Sequence, residues 1–158
     1  MTLAINRIGN ELLVFMRDSR PDGPGRENEH LYNFASVAAR LDNQVLFIFQ
    51  RQRGAWELPT GYIQRGESPS AAARRELFEE SAQLGRSLVF EATIKLKIQP
   101  DERIDIGALF RTELEALRPF TPTHEISDIL LWDLKTPITG YVDPIDVTLA
   151  QLAFPDLA

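Results

Sequence analysis

The 158-residue sequence predicts an α/β fold, a central mixed β-sheet sandwiched between helices. Three observations predict it. The continuous apolar run at residues 45–49 suits a strand buried on both faces. Residues 93–98 and 103–110 alternate apolar and polar side chains, which marks a sheet with unlike faces. Two helical segments, residues 69–82 and 144–153, interrupt and follow the strands.

The elements follow in chain order. Residues 3–8 and 11–16 are strand-like, and Gly9-Asn10 between them is a two-residue turn signal, so residues 1–18 predict an N-terminal β-hairpin. Residues 19–31 contain Pro21, Gly23, Pro24 and Gly25 and predict a loop. The core domain is expected over residues 32–158. It begins with strands at 34–41 and 45–49, joined by the turn signal Asp42-Asn43. A short strand at 56–58 leads into Pro59-Thr60-Gly61. Ser68 then caps a helix whose first turn holds Pro69, and Ala71, Ala72 and Ala73 favour its propagation. The two alternating strands come next, with Pro100-Asp101-Glu102 as their turn, and a further apolar strand at 126–134. Asp143 caps the last helix, Pro144 fits its first position, and Ile145, Leu149 and Leu152 form its apolar stripe. Trp56, Phe110 and Trp132 sit in apolar contexts that predict core packing rather than stacking on a ligand.

Composition narrows the function classes. There is no cysteine, which excludes disulfides, thiolate zinc sites and a cysteine nucleophile. His30 and His124 stand alone, too few for a zinc site. The net charge of −6 argues against a partner such as duplex nucleic acid, which favours a basic face. A small anionic substrate bound through a metal stays compatible with it. No apolar run is long enough to span a bilayer and no signal-peptide pattern is present, so a cytoplasmic protein without a membrane partner is expected.

The chemistry concentrates at residues 61–80. At about 100° per residue, Glu76, Glu79 and Glu80 fall within one arc of roughly 100° on the helix. Ala73, Leu77 and Leu84 lie beside that arc and are expected to face the sheet. Like charges at this spacing cost a few tenths of a kcal/mol each when exposed. A solvated acidic face is the plain reading of three glutamates, and a divalent cation between them is the functional one. Oxygen ligands without His or Cys favour a hard ion, Mg²⁺ or Mn²⁺. Arg75 stands four residues before Glu79 and is placed to pair with it. Gly61 admits unusual backbone angles, and Glu67 ends the preceding loop close to the helix start.

Gly61, Glu67 after five intervening residues, and Arg75, Glu76, Leu77, Glu79 and Glu80 after seven more resemble the signature of the Nudix hydrolases, the MutT-like family. The segment Trp56-Glu57-Leu58-Pro59 is similar to the one that enters this signature. The resemblance is expected to cover residues 32–154. It implies a Nudix-type α/β/α sandwich and hydrolysis of a nucleoside diphosphate linked to another group. Four positions depart from the pattern. Pro59-Thr60-Gly61 replaces Pro-Gly-Gly, Gln64 stands where a glutamate is frequent, and Ala82-Gln83 replaces a glycine and an aliphatic residue. Without that glycine the helix is expected to run on to Gly85 as its cap.

Carried onto this chain, the resemblance implies that Glu76, Glu79 and Glu80 bind Mg²⁺ (or Mn²⁺), assisted by Glu67 with Gly61 alongside. One of the glutamates, Glu79 or Glu76, would orient or deprotonate the water, with Arg75 in support. Glu125 is the candidate for an additional carboxylate, with Glu102 second. Arg51 and Arg53 are candidates for substrate phosphate, since guanidinium matches its geometry. The first candidate substrate is a small nucleotide, such as a nucleoside triphosphate or an oxidised dNTP. The alternative is a non-catalytic module of the same fold that senses a nucleotide. The N-terminal hairpin could extend its own sheet or pair with a second subunit, and a homodimer is one expectation.

Overall fold

The computed structural model describes residues 1–17 and 31–158. Residues 19–30 of the loop expected between hairpin and core, with His30, lie outside the described residues. The strands are β1 (Ala4–Ile5), β2 (Glu11–Met16), β3 (Phe34–Leu41), β4 (Gln44–Gln50), β5 (Ala55–Glu57), β6 (Thr60–Tyr62), β7 (Val89–Ile98), β8 (Arg103–Glu113), β9 (Ile126–Trp132) and β10 (Tyr141–Val142). Helix α1 spans Pro69–Ser81 and α2 spans Pro144–Ala153. The sheet runs in the order β1-β2-β7-β8-β3-β4-β5-β10, with β6 on β3 and β9 on β4. Most pairs are antiparallel, while β3 with β8 and β5 with β10 are parallel. The sheet is therefore mixed, as expected.

Period-two geometry divides the core into two layers. Ala35, Val37 and Ala39 of β3 face α1, where they meet Ala72, Ala73 and Leu77. Phe34 and Ala38 face the other way, toward Ile145, Leu149, Ala150 and Ala153 of α2. The alanines on both sides of the β3–α1 contact let the helix lie close to the sheet. Burying each large apolar side chain in these layers stabilises the fold by about 1.5–3 kcal/mol. Strand β4 contributes Val45 and Phe47 to one layer and Leu46 to the other, as its unbroken apolar run predicts.

Four expectations need correction. Strand β8 does not have unlike faces along its length. It lies between β7 and β3, so Leu109 enters the α2 layer and Ala108 and Phe110 the α1 layer. The N-terminal turn is wider than Gly9-Asn10. Strand β1 stops at Ile5, and residues 6–10 form a loop closed by Asn6 N–H to the Asn10 carbonyl at 3.0 Å. The Asn6 side chain draws the chain out of the ladder by accepting from Asn10 N–H, and Gly9 takes φ 88°. Helix α1 does not reach Gly85, for reasons given below. Leu84 is exposed rather than packed on the sheet.

The hairpin extends its own sheet. Strand β2 pairs with β7, with Leu12 opposite Leu96, and the fully buried Leu12 joins the α2 layer. Helix α2 starts as its sequence predicts, with Asp143 accepting from Ile145 N–H at 2.9 Å. Trp56 and Trp132 are partly buried against the core, and Phe110 is fully buried. No helix among the described residues is long and apolar enough to cross a membrane.

Candidate active site

Strand β6 and the first turns of α1 build the site. Ser68 caps the helix by accepting from Ala71 N–H, with Pro69 in the first turn. Between strand and helix the chain turns at Arg65-Gly66, and Glu67 accepts from Gln64 N–H at 3.0 Å. This turn brings Glu67 back over the helix.

Arg75 is the hub. Its Nε and one terminal nitrogen bind both oxygens of Glu67, at 2.7 and 2.9 Å. The other terminal nitrogen reaches Glu76 at 2.6 Å and Glu79 at 3.2 Å, and a further bond goes to the Tyr62 carbonyl. The expected Arg75–Glu79 pair is thus one contact of four. The Arg75 guanidinium holds the Glu67 carboxyl below the usual carboxylate range.

Glu76 and Glu80 are in a different situation. Burial pushes both above the usual range, Glu80 to about 8. Arg75 partly offsets this for Glu76, and the Thr60 N–H, donating to Glu80 at 2.8 Å, partly offsets it for Glu80. Each of the two also raises itself against further negative charge, Glu76 against Glu79 and Glu125, Glu80 against Glu76 and Glu57. The sequence arc is therefore no solvated face. Only Glu79, 55% exposed, still projects into solvent.

The need for glycine at position 61 is spatial. Gly61 lies in β6 opposite Ala35, in ordinary strand conformation. A Cβ there would fall 2.0 Å from Glu76 Oε1. The unusual angles expected from the sequence are not what position 61 uses.

The end of α1 explains the departures at Ala82-Gln83. Ala82 itself takes the left-handed conformation, φ 61°, and its N–H donates to the Phe78 carbonyl. An alanine there costs about 1–2 kcal/mol relative to a right-handed residue. Gln83, fully buried, compensates. Its side-chain amide donates to the carbonyls of Ser81 and Arg118 and accepts from Arg118 N–H, at 2.8–2.9 Å. Gly85 is needed for close approach to Thr112, not as a helix cap.

The remaining candidates separate. Glu125 is exposed, and its charge reaches Glu76. Arg51 braces that loop. Its N–H donates to the Glu125 carbonyl and its Nε to the Thr123 carbonyl, both at 2.9 Å. Arg53 instead binds both oxygens of Glu57, at 2.8 and 2.9 Å, and feels the charges of Glu80 and Asp146. Glu102 sits in the β7–β8 turn at φ 58°.

Beside Thr60 and Gly61 opens a cavity of about 740 Å³, within the usual range of roughly 300–1,000 Å³ for small-molecule sites. Arg53, Glu57, Tyr62, Arg103, Tyr141 and Asp146 are among its lining residues. Sequence reasoning missed most of these. The Arg53–Glu57 pair was legible in its i,i+4 spacing; the others come from segments that only the fold brings together.

The model of the NUDIX domain matches residues 14–140. The chain belongs to the NUDIX domain family. A MutT-like protein of Streptomyces ambofaciens is 33% identical over 70 residues, 44% of this chain and 44% of that one. An RNA pyrophosphohydrolase of Bartonella henselae is 35% identical over 77 residues, 47% of this chain and 44% of that one. The chain thus spans less than half the length of these curated relatives. Among solved structures, a pyrophosphohydrolase from Bacillus subtilis superposes with a TM-score of 0.65 at 18% identity, covering 85% of this chain and 78% of that one. The NUDIX domain of Shewanella oneidensis NrtR, solved with ADP-ribose, gives 0.64 at 16% identity, covering 87% and 95%. These likenesses show the Nudix α/β/α sandwich. The matched segment contains Gly61, Glu67, Arg75, Glu76, Glu79 and Glu80.

Proposed function

We propose that this chain is a pyrophosphohydrolase that depends on a divalent cation and cleaves a phosphoanhydride bond in a nucleoside diphosphate linked to a further group. The observation that carries the reading is the pair of buried Glu80 and half-buried Glu76, both pushed up in pKa, with Glu76 pressed against Gly61. Two desolvated carboxylates side by side are costly unless a cation joins them. The donor set is all oxygen, which suits Mg²⁺, with Mn²⁺ the alternative. Among the described residues no three acidic groups already converge as a ligand set. Glu67, Glu76 and Glu79 are instead bonded to Arg75.

In this reading Glu76, Glu79 and Glu80 hold the ion, with Glu67 supporting and Gly61 giving Glu76 its room. When bound, the ion supplies charge neutralisation of the diphosphate and a lowered pKa for water. The chain's own groups do the rest. The Thr60 N–H fixes Glu80. Arg75 is a positioning residue that orients three carboxylates. Glu79, exposed beside that pair, or Glu125 accepts the proton of the attacking water. The water oxygen bonds to phosphorus, the bridging P–O bond breaks, and the leaving phosphate keeps its electron pair. Arg53 is held on both oxygens of Glu57, and Arg51 positions the Glu125 loop.

A nucleoside triphosphate or an oxidised dNTP is the first candidate substrate, and ADP-ribose, nucleotide sugars, dinucleoside polyphosphates and 5′-triphosphorylated RNA complete the panel. The test is phosphate or pyrophosphate release from that panel with Mg²⁺ or Mn²⁺. Cation-dependent cleavage of at least one compound is expected. Tight binding of one nucleotide with no cleavage of any would replace this reading by a non-catalytic sensor, which the Arg75-bound carboxylates would then explain.

A further inference from the structure

The N-terminal turn, residues 6–10, precedes the segment that the NUDIX model matches, yet Asn6, Arg7, Ile8 and Asn10 line the cavity beside Thr60 and Gly61. Three contacts fasten it there. The Asn6 side chain donates to Asp143 at 3.0 Å, at the start of α2. A terminal nitrogen of Arg7 donates to the Arg53 carbonyl at 2.6 Å, in the β4–β5 turn. The Asn10 side chain accepts from Gln99 N–H at 2.8 Å, at the end of β7. Three segments far apart in the chain are thus bridged by one loop. In addition, the Arg7 guanidinium lies 4.0 Å over the Tyr141 ring, and Arg7 N–H donates to the Tyr141 hydroxyl.

Charge decides what such a cavity accepts. Its three arginines each have acceptors. Arg53 is bound to Glu57, Arg103 to Asp101 and Asp105, and Arg7 to backbone carbonyls. Against them stand Glu57, Asp105, Asp143 and Asp146, four carboxyls among the described lining residues. Burial, then the neighbouring Asp143 and Glu57, push the Asp146 carboxyl well above the ordinary range. With the Asp146 carboxyl pushed toward its neutral form, the described lining is close to neutral. A phosphate would have to displace the partners of these arginines, whereas N–H and O–H donors of an uncharged group can share the carboxyl oxygens. The floor adds apolar surface from Phe34, Leu96, Ile98 and Ile145.

We infer that the N-terminal turn is a specificity element that, with Tyr141, holds the uncharged nucleoside end of the substrate and rejects substrates carrying a further phosphate on that nucleoside. The inference rests on the hydrolase reading for the place of the diphosphate, but its test does not need turnover. Adenosine and guanosine, and the 3′-monophosphate of each, are titrated into the protein without divalent cation and followed by calorimetry. At least one nucleoside binds saturably in the millimolar range or tighter, and its 3′-phosphate binds about tenfold more weakly, a difference of about 1.4 kcal/mol. Arg7→Ala and Tyr141→Ala each weaken the nucleoside by about tenfold, while Tyr141→Phe, which keeps the ring, stays within about threefold. No saturable nucleoside binding, or a 3′-phosphate that binds as tightly as its nucleoside, overturns the inference using the wild type alone. Folded Arg7→Ala and Tyr141→Ala variants, judged by thermal melting, that bind like wild type also overturn it. Failure of the hydrolysis panel with these binding results intact would sink the hydrolase reading and leave this one standing.

Discussion

Two acidic groups, one around α1 and one lining the cavity, are held in different ways. Around α1, Glu67, Glu76 and Glu79 share one arginine, Arg75, and Glu80 is held by the Thr60 N–H. Among the four described carboxyls that line the cavity, three have partners of their own. Glu57 is bound by Arg53, Asp105 by Arg103 and Tyr62, and Asp143 by Asn6 and the α2 N-terminus. The first arrangement leaves Glu80 without an ion pair among the described residues; the second is largely paired. On the proposed reading, the charged part of a substrate lies on the α1 side and its uncharged portion on the other.

Substitutions should separate the two sides. The largest effect is expected at the motif, where Glu79→Gln or Glu80→Gln lowers cation-dependent turnover by about two to three orders of magnitude, a loss comparable to removal of one preorganised group in an active site. The fold should persist, as circular dichroism would verify, and near-wild-type turnover in either variant would remove that residue from the assignment. Next comes Gly61→Ala. Its Cβ would overlap the Glu76 carboxyl, so cation affinity measured by titration should fall and the melting temperature should drop, by about 1–3 kcal/mol of overpacking strain. A variant with unchanged affinity would mean that Glu76 has room the structure does not show.

A pH effect of intermediate size is expected from Glu80. Its carboxyl is raised from 4.5 to about 8 in the folded protein. Below the unfolded value both states carry the proton. As pH rises toward 8 the unfolded chain releases it and the folded protein does not, so stability declines across this window, by at most a few kcal/mol. Without divalent cation, the melting temperature should therefore fall between these pH values, and less so in Glu80→Gln. Parallel curves for the two proteins would contradict the raised carboxyl. The smallest functional effect belongs to Gln83→Leu, which strands the Arg118 N–H and carbonyl. Stability should drop by about 1–3 kcal/mol with turnover on any cleaved substrate nearly unchanged, and a selective loss of turnover would tie the helix end to catalysis.

Much of this was legible from the sequence where the cause is local. The caps at Ser68 and Asp143 set both helix starts, since side chain, backbone and proline all lie within a few residues. The acidic arc and Gly61 were legible through spacing. The burial of Glu76 and Glu80 was not, because it depends on β6 crossing the helix. Strands β6 and β10 are too short to show a period, and β8 was misread because its second face is covered by a neighbour remote in sequence. Ala82 misled for a related reason. The left-handed cap that glycine would take is held in alanine by Gln83 and Arg118, a contact no local pattern announces.

The place of β2 beside β7 has a consequence for how the molecule is made. Leu12 packs opposite Leu96, and β3 pairs in parallel with β8, Phe34 opposite Gly107. Such pairings join segments synthesised far apart in time, and non-local strand pairing slows folding because chain closure precedes the contacts that reward it. Strand β2 thus waits for β7, made about 70 residues later, before that neighbour can cover it. During that interval the apolar side chains of β2 stay uncovered, and only completion of β7 gives the N-terminal turn the ground from which it lines the cavity.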